Sequence, residues 1–194
     1  MRDEVCYTEV DKKIRQEKSD MKKEKLDGHI FLIGFMGCGK STNAACLSDM
    51  TGAGLMEMDQ EIANRQGMAI TEIFKAHGEE YFRDLETSLL YSLKGRAPLI
   101  VSCGGGAVLR RENVEFMKKN GKIVFLTAEP ETIFERVRDS RERPVLNGNM
   151  NLEHIRALME KRYPCYKEAA DLTISTDGRT TREICLEILD RIRL

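Results

Sequence analysis

The chain has 194 residues, with 31 Lys plus Arg against 32 Asp plus Glu, 41% hydrophobic residues, 6% aromatic residues and no Trp. That length suits one soluble domain with room for a small appendage, and about 70% of the unfolded surface can be buried without metal or disulfide staples. A net charge of −1 excludes a general attraction to nucleic acid or anionic membranes, so any anion site is local and built from specific residues.

The six cysteines, at 6, 38, 46, 103, 165 and 185, form no CxxC pair, and the histidines at 29, 77 and 154 stand apart from them. This argues against zinc and for free thiols in a reducing, cytoplasmic compartment. The longest apolar run, Ile30 to Gly37, is far short of the ~20 residues of a membrane span, and no signal-peptide pattern precedes residue 29.

Residues 2–27 carry eight acids and eight bases with few apolar residues, too little apolar surface to offset the entropy of ordering. Residues 1–28 are therefore expected to form a charged, poorly ordered tail, and Met21 offers an internal start that would make the segment before it dispensable. From residue 29 to 194 the pattern becomes that of one domain. Short apolar runs at Ile30 to Gly34, Leu55 to Met58, Leu99 to Ser102, Ile123 to Leu126 and Leu172 to Ser175 read as buried strands. Between them helical periodicity runs through Lys40 to Met50, Ile70 to Leu93, Arg111 to Lys119, Glu131 to Arg138 and Leu152 to Glu168, and Thr181 to Ile192 ends the series. Buried strands alternating with helices predict an α/β fold, a doubly wound parallel sheet covered on both faces.

Directly after the first strand stands Gly34-Phe35-Met36-Gly37-Cys38-Gly39-Lys40-Ser41-Thr42, which fits G-x-x-x-x-G-K-[ST] with a helix following. Such glycines let successive amides curl around phosphate oxygens, and the helix adds its positive N-terminal end. Gly37, Cys38, Gly39, Lys40, Ser41 and Thr42 are therefore the candidate nucleotide cradle. Lys40 is expected on the β and γ phosphates, and the Ser41 hydroxyl on magnesium. The cradle alone does not separate kinase from GTPase or motor; the absence of a guanine-reading N-K-x-D element counts against a GTPase.

Further along come Glu57-Met58-Asp59, then Gly67, Ile70, Ile73-Phe74, Gly78-Glu79, Phe82-Arg83 and Glu86, then Gly104-Gly105-Gly106, Arg143-Pro144-Val145-Leu146 and Arg162-Tyr163-Pro164-Cys165-Tyr166. These motifs, in this order and spacing, resemble the shikimate kinase family over residues 29–192. The resemblance implies a P-loop NTPase-type sheet of five parallel strands in the order 2-3-1-4-5, an acceptor-binding segment near residues 60–90 and a lid near 138–150. It also implies transfer of the γ-phosphoryl of ATP to the 3-hydroxyl of shikimate with Mg²⁺ as cofactor, a step towards chorismate and aromatic amino acids, by a monomer.

On that resemblance Asp59 accepts the proton of the acceptor hydroxyl, although it could also cap the helix that follows. Arg83 and Arg162 clamp the acceptor carboxylate, as guanidinium groups do bidentately, and Gly104, Gly105 and Gly106 bring bare backbone to the acceptor. Glycines alone would equally suit a loop or the start of a helix. Arg143 closes over the transferred phosphoryl group, and Arg136 packs on adenine. Arg179 is a candidate for the other adenine face or, equally, an ordinary turn arginine. Glu57 replaces the first Asp of a D-x-D pair and would meet magnesium through water. Val145, for the first Leu of R-P-L-L, and Ala44-Ala45, for a Gly-Arg pair, are expected to change packing only. Cys38 and Cys103 read as small packing residues. Competing readings are a gluconate kinase on the same fold and a nucleotide-binding module without catalysis.

Overall fold

The computed structural model describes residues 26–138 and 151–192. Nearly all of the expected lid, with Arg143, and nearly all of the expected tail, with Met21, lie outside the described residues. In chain order the elements are β1 (His29–Ile33), α1 (Lys40–Thr51), β2 (Gly54–Glu57), α2 (Met58–Gln66), α3 (Ile70–Tyr91), β3 (Leu99–Ser102), a 3-10 turn (Ala107–Leu109), α4 (Arg111–Asn120), β4 (Gly121–Thr127), α5 (Pro130–Val137), α6 (Leu152–Ala169), β5 (Leu172–Ser175) and α7 (Thr181–Ile192).

The strands form one parallel sheet in the order β2-β3-β1-β4-β5, as the resemblance implies. Central β1 is buried at every position, because a parallel strand with helices on both faces has no wet side. Side chains alternate across the sheet. Ile30, Leu32, Ile100 and Val124 meet Leu47 and Ile188 from α1 and α7 on one face. On the other, Phe31, Ile33, Val101 and Ile123 meet Leu90 and Met117 from α3 and α4. Each fully buried Leu or Ile contributes roughly 1.5–3 kcal/mol.

Two local features differ from the sequence reading. The second strand ends at Glu57, and Met58 already opens α2, because fully buried Met58 suits the helix face packed beneath. The helix expected as one run from Ile70 is broken at Gly78, whose backbone (φ 83°, ψ 177°) is not helical. Only glycine adopts that conformation without strain, so the stretch before Gly78 is re-aimed relative to Glu79–Tyr91. The strand ends that carry function, after Ile33, Glu57, Ser102, Thr127 and Ser175, all lie along the carboxyl edge of the sheet, where open α/β sheets bind ligands.

Candidate active site

The loop from Gly34 to Gly39 joins β1 to α1. Gly39 caps the helix with φ 92°, and a Cβ on Gly37 would lie 2.6 Å from Val137 Cγ1, so the loop requires both glycines. Lys40 folds back, its Nζ donating to the Gly34 carbonyl at 2.9 Å and the Phe35 carbonyl at 3.0 Å. Those two carbonyls mark an oxygen-rich place that phosphate oxygens can take over. The Ser41 hydroxyl donates to Glu57 Oε2 at 3.0 Å, so the longer carboxylate reaches this hydroxyl directly. Around these groups opens a cleft of about 500 Å³.

Arg136 and Arg179 line the far side of the same cleft. Arg136 donates to Gly37 O at 3.2 Å and Thr176 Oγ1 at 3.1 Å, which ties α5 to the loop and to the end of β5. Arg179 does border the cleft, yet it also pairs with Glu187 at 2.7 Å. It is thus both a turn arginine and a cleft residue. Cys38 is buried in the core, where the packing reading placed it, so only its backbone can serve the cradle. Burial likewise pushes the Cys103 thiol up, keeping it protonated.

The structure corrects the helix-cap reading of Asp59, which stands two positions past the end of β2 and inside the helix. Glu57 occupies the cap position and Asp59 stands in the first turn of α2, where the helix dipole favours a negative charge. Asp59 is exposed and borders the cleft beside Lys40 and Ser102.

Arg83 is buried and is not a free cation. Its Nη1 donates to Glu86 at 2.5 Å and its Nη2 to Glu79 at 2.7 Å. Glu86 is wholly buried, and its Oε1 has no hydrogen-bond partner among the described residues. Burial pushes this carboxyl up to about 7, with the Arg83 charge working against the shift and the Asp59 charge with it.

The glycine run explains how these groups converge. A Cβ on Gly104 would overlap Glu86 Oε1 and stand 2.9 Å from Asp59 Oδ1, and one on Gly106 would overlap the Arg83 guanidinium. Beside Gly105, Arg162 Nη1 lies 3.9 Å from where a Cβ would stand. Bare backbone is therefore what lets two carboxylates and two arginines meet at one end of β3, next to Lys40 and Ser41. The run leads into a 3-10 turn rather than an open loop.

Sequence reasoning assigned no role to Glu86, Glu79 or Tyr166. The i, i+3 spacing of Arg83 and Glu86 was the available signal for the first. Tyr166 gave none, since its partner is a backbone carbonyl on a distant loop.

The pattern of the family described as Shikimate kinase matches residues 36–193. A shikimate kinase from Persephonella marina is 43% identical over 165 residues, which are 85% of this chain and 99% of the relative. This chain belongs to the shikimate kinase family. A solved shikimate kinase from Acinetobacter baumannii, in complex with shikimate, is 34% identical with a TM-score of 0.81, over 86% of this chain and 93% of that one. A gluconokinase from Sinorhizobium meliloti aligns over 88% of this chain and 94% of its own, at 17% identity and a TM-score of 0.54, which is a likeness of fold alone. Among the described residues no helix is long and apolar enough to cross a membrane.

Proposed function

We propose that this chain phosphorylates the 3-hydroxyl of shikimate with ATP, giving shikimate 3-phosphate and ADP. The observation that carries the reading is the meeting of Asp59, Arg83, Glu86 and Arg162 around Gly104–Gly106, beside Lys40 and Ser41. A small ring bearing one carboxylate and several hydroxyls needs a fixed cationic clamp and one carboxylate base, and the cluster supplies both types.

In this mechanism Lys40 exchanges its two carbonyl partners for β and γ phosphate oxygens, and the backbone of Gly37, Cys38 and Gly39 cradles the phosphates with Thr42 at the helix start. Arg83 and Arg162 hold the acceptor carboxylate. Asp59 takes the proton of the acceptor hydroxyl as its oxygen bonds to the γ phosphorus and the bond to the ADP oxygen breaks. Arg136 and Arg179 flank the adenine. Arg143, outside the described residues, completes the charge stabilisation on the transferred group.

Ser41 Oγ and Glu57 Oε2, 3.0 Å apart, are hard oxygen donors beside the cradle, which fits Mg²⁺. Mg²⁺ is commonly bound by one or two protein oxygens together with substrate phosphates. Ser41 would hold it directly and Glu57 through water, and bound there it neutralises phosphate charge. The remaining assignment is a cytoplasmic monomer acting on two small molecules.

The test is Mg²⁺-dependent ADP release from ATP, with shikimate, with gluconate and without an acceptor, for the full chain and Asp59→Asn. Stimulation by shikimate alone, reduced on the order of 10²–10⁴-fold in the variant, is expected. Stimulation by gluconate instead would overturn the acceptor assignment. An ATPase rate indifferent to shikimate would overturn the kinase reading.

A further inference from the structure

Tyr166 takes no part in the transfer just described, yet it is 2% exposed and stacks on Phe125 with ring centroids 5.0 Å apart and planes 24° apart. A buried phenol hydroxyl needs a partner. Here the hydroxyl donates to the carbonyl of Gly105, the middle glycine of the run. Arg162 precedes Tyr166 by four residues on α6, so the two share one helix face, and the Arg162 charge pulls against the rise that burial imposes on the hydroxyl. The Tyr166 hydroxyl and Arg162 Nη1 lie 3.8 and 3.9 Å from the point where a Cβ on Gly105 would stand. A phenol has one proton and two lone pairs, so donation to Gly105 leaves a lone pair for Arg162.

The consequence for the backbone is specific. The Gly104 carbonyl accepts from Ala107 N at 3.1 Å and the Gly106 carbonyl from Leu109 N at 2.9 Å. Tyr166 engages the one between them, so all three carbonyls are held while the amides of the three glycines meet no protein acceptor among the described residues. The Gly105 carbonyl and the Gly106 amide belong to one rigid peptide plane. Fixing that carbonyl fixes the next donor, in a run of glycines that would otherwise be the most mobile backbone available.

We propose that Tyr166 is a positioning residue for the acceptor, its hydroxyl coupling Arg162 to the Gly105–Gly106 peptide plane so that cation and backbone donor are set in one arrangement before the acceptor arrives. The proposal rests on the acceptor-pocket reading above. Preorganisation of this kind lowers the cost of ordering at the moment of binding. Burial pushes the Tyr166 hydroxyl up to about 12, against the pull of Arg162, so its proton stays available to Gly105.

Tyr166→Phe keeps the buried ring and removes only the hydroxyl, so thermal unfolding of the full-length variant should follow the wild type closely. With shikimate as acceptor, the variant should raise the acceptor KM about tenfold and leave the ATP KM unchanged. In a double-mutant cycle with Arg162→Lys, the two effects should be strongly non-additive. Amide hydrogen exchange at Gly105 and Gly106, read without any acceptor, should accelerate about tenfold in Tyr166→Phe. An unchanged acceptor KM, additive effects, or a KM rise shared by ATP would overturn the proposal, as would unchanged exchange. Wild-type protein indifferent to shikimate would sink the functional reading alone, and the exchange measurement would still decide the coupling.

Discussion

Arg83 Nη1 and Glu86 Oε2 meet at 2.5 Å inside α3, and the other oxygen of Glu86 is buried with no partner. The groups facing this carboxyl are Arg83 on its own helix, Asp59 from α2 and Arg110 beyond the 3-10 turn. Its value of about 7, raised chiefly by burial, puts its ionisation inside the working range of most enzymes.

The first prediction follows from that ionisation. Above pH 7 Glu86 is charged and offsets Arg83, and below it the proton leaves Arg83 with more positive charge for an anionic acceptor. The acceptor KM should therefore fall as pH falls through about 7, while the ATP KM stays flat. In Glu86→Gln the acceptor step should vanish. A wild-type acceptor KM without that ionisation, or one that persists in the variant, would show that Glu86 does not control the clamp.

A second prediction concerns Gly106. Its backbone (φ −112°, ψ 0°) is open to any residue, so alanine is excluded by the Arg83 guanidinium lying where the Cβ would stand. Gly106→Ala should displace Arg83, weaken its buried pair with Glu86 by about 3–5 kcal/mol and raise the acceptor KM at least tenfold. Gly105→Ala, whose Cβ meets nothing nearer than 3.8 Å, should leave the melting temperature in place. Equal melting of the two variants would contradict the steric account.

The sheet and the cradle were legible because their signals are local: five short apolar runs, and a loop whose glycines are fixed by phosphate geometry. Ile70 and Thr181 open helices where periodicity starts them, and Leu172–Ser175 is the strand expected. Met58–Gln66 was expected only as the helix after Asp59 and not from periodicity, because only Met58 and Ile62 are buried in it, too few for a periodic signal. The same spacing that hinted at an Arg83–Glu86 pair could not tell that it is buried, since burial depends on β3 and its glycines arriving from elsewhere. Arg179 shows the limit most clearly: its partner Glu187 lies eight residues on, inside α7, and sequence spacing fits a solvated charge equally well.

The third prediction concerns Glu57, which reaches Ser41 at 3.0 Å. Shortening it by one methylene withdraws the carboxylate from the hydroxyl and frees Ser41 for a cation. Glu57→Asp should retain activity and lower the Mg²⁺ concentration needed for half-maximal rate, with little change in the acceptor KM. An unchanged metal dependence would place Glu57 outside the metal's surroundings.

The fourth prediction uses a residue far from the cleft. His29 opens β1, is 4% exposed, and its Nδ1 accepts from Leu99 N at 3.0 Å, which requires an unprotonated Nδ1. Burial lowers its pKa, and an interaction with the Leu93 backbone opposes the shift. The unfolded chain then binds this proton at a higher pH than the folded one. The His29 contribution to stability is complete above about pH 6.5 and is lost as pH falls below it. Glu86 acts in the opposite direction: its raised value makes the folded state bind the extra proton between the ordinary carboxylate range and about 7, so its contribution falls as pH rises through that window. The two slopes overlap and partly cancel in the wild type, so single variants must separate them. In urea melts from pH 5 to 8, His29→Gln should lose stability less steeply on acidification than the wild type, and Glu86→Gln more steeply. Parallel curves for all three proteins would show that neither group carries the linkage that its burial implies.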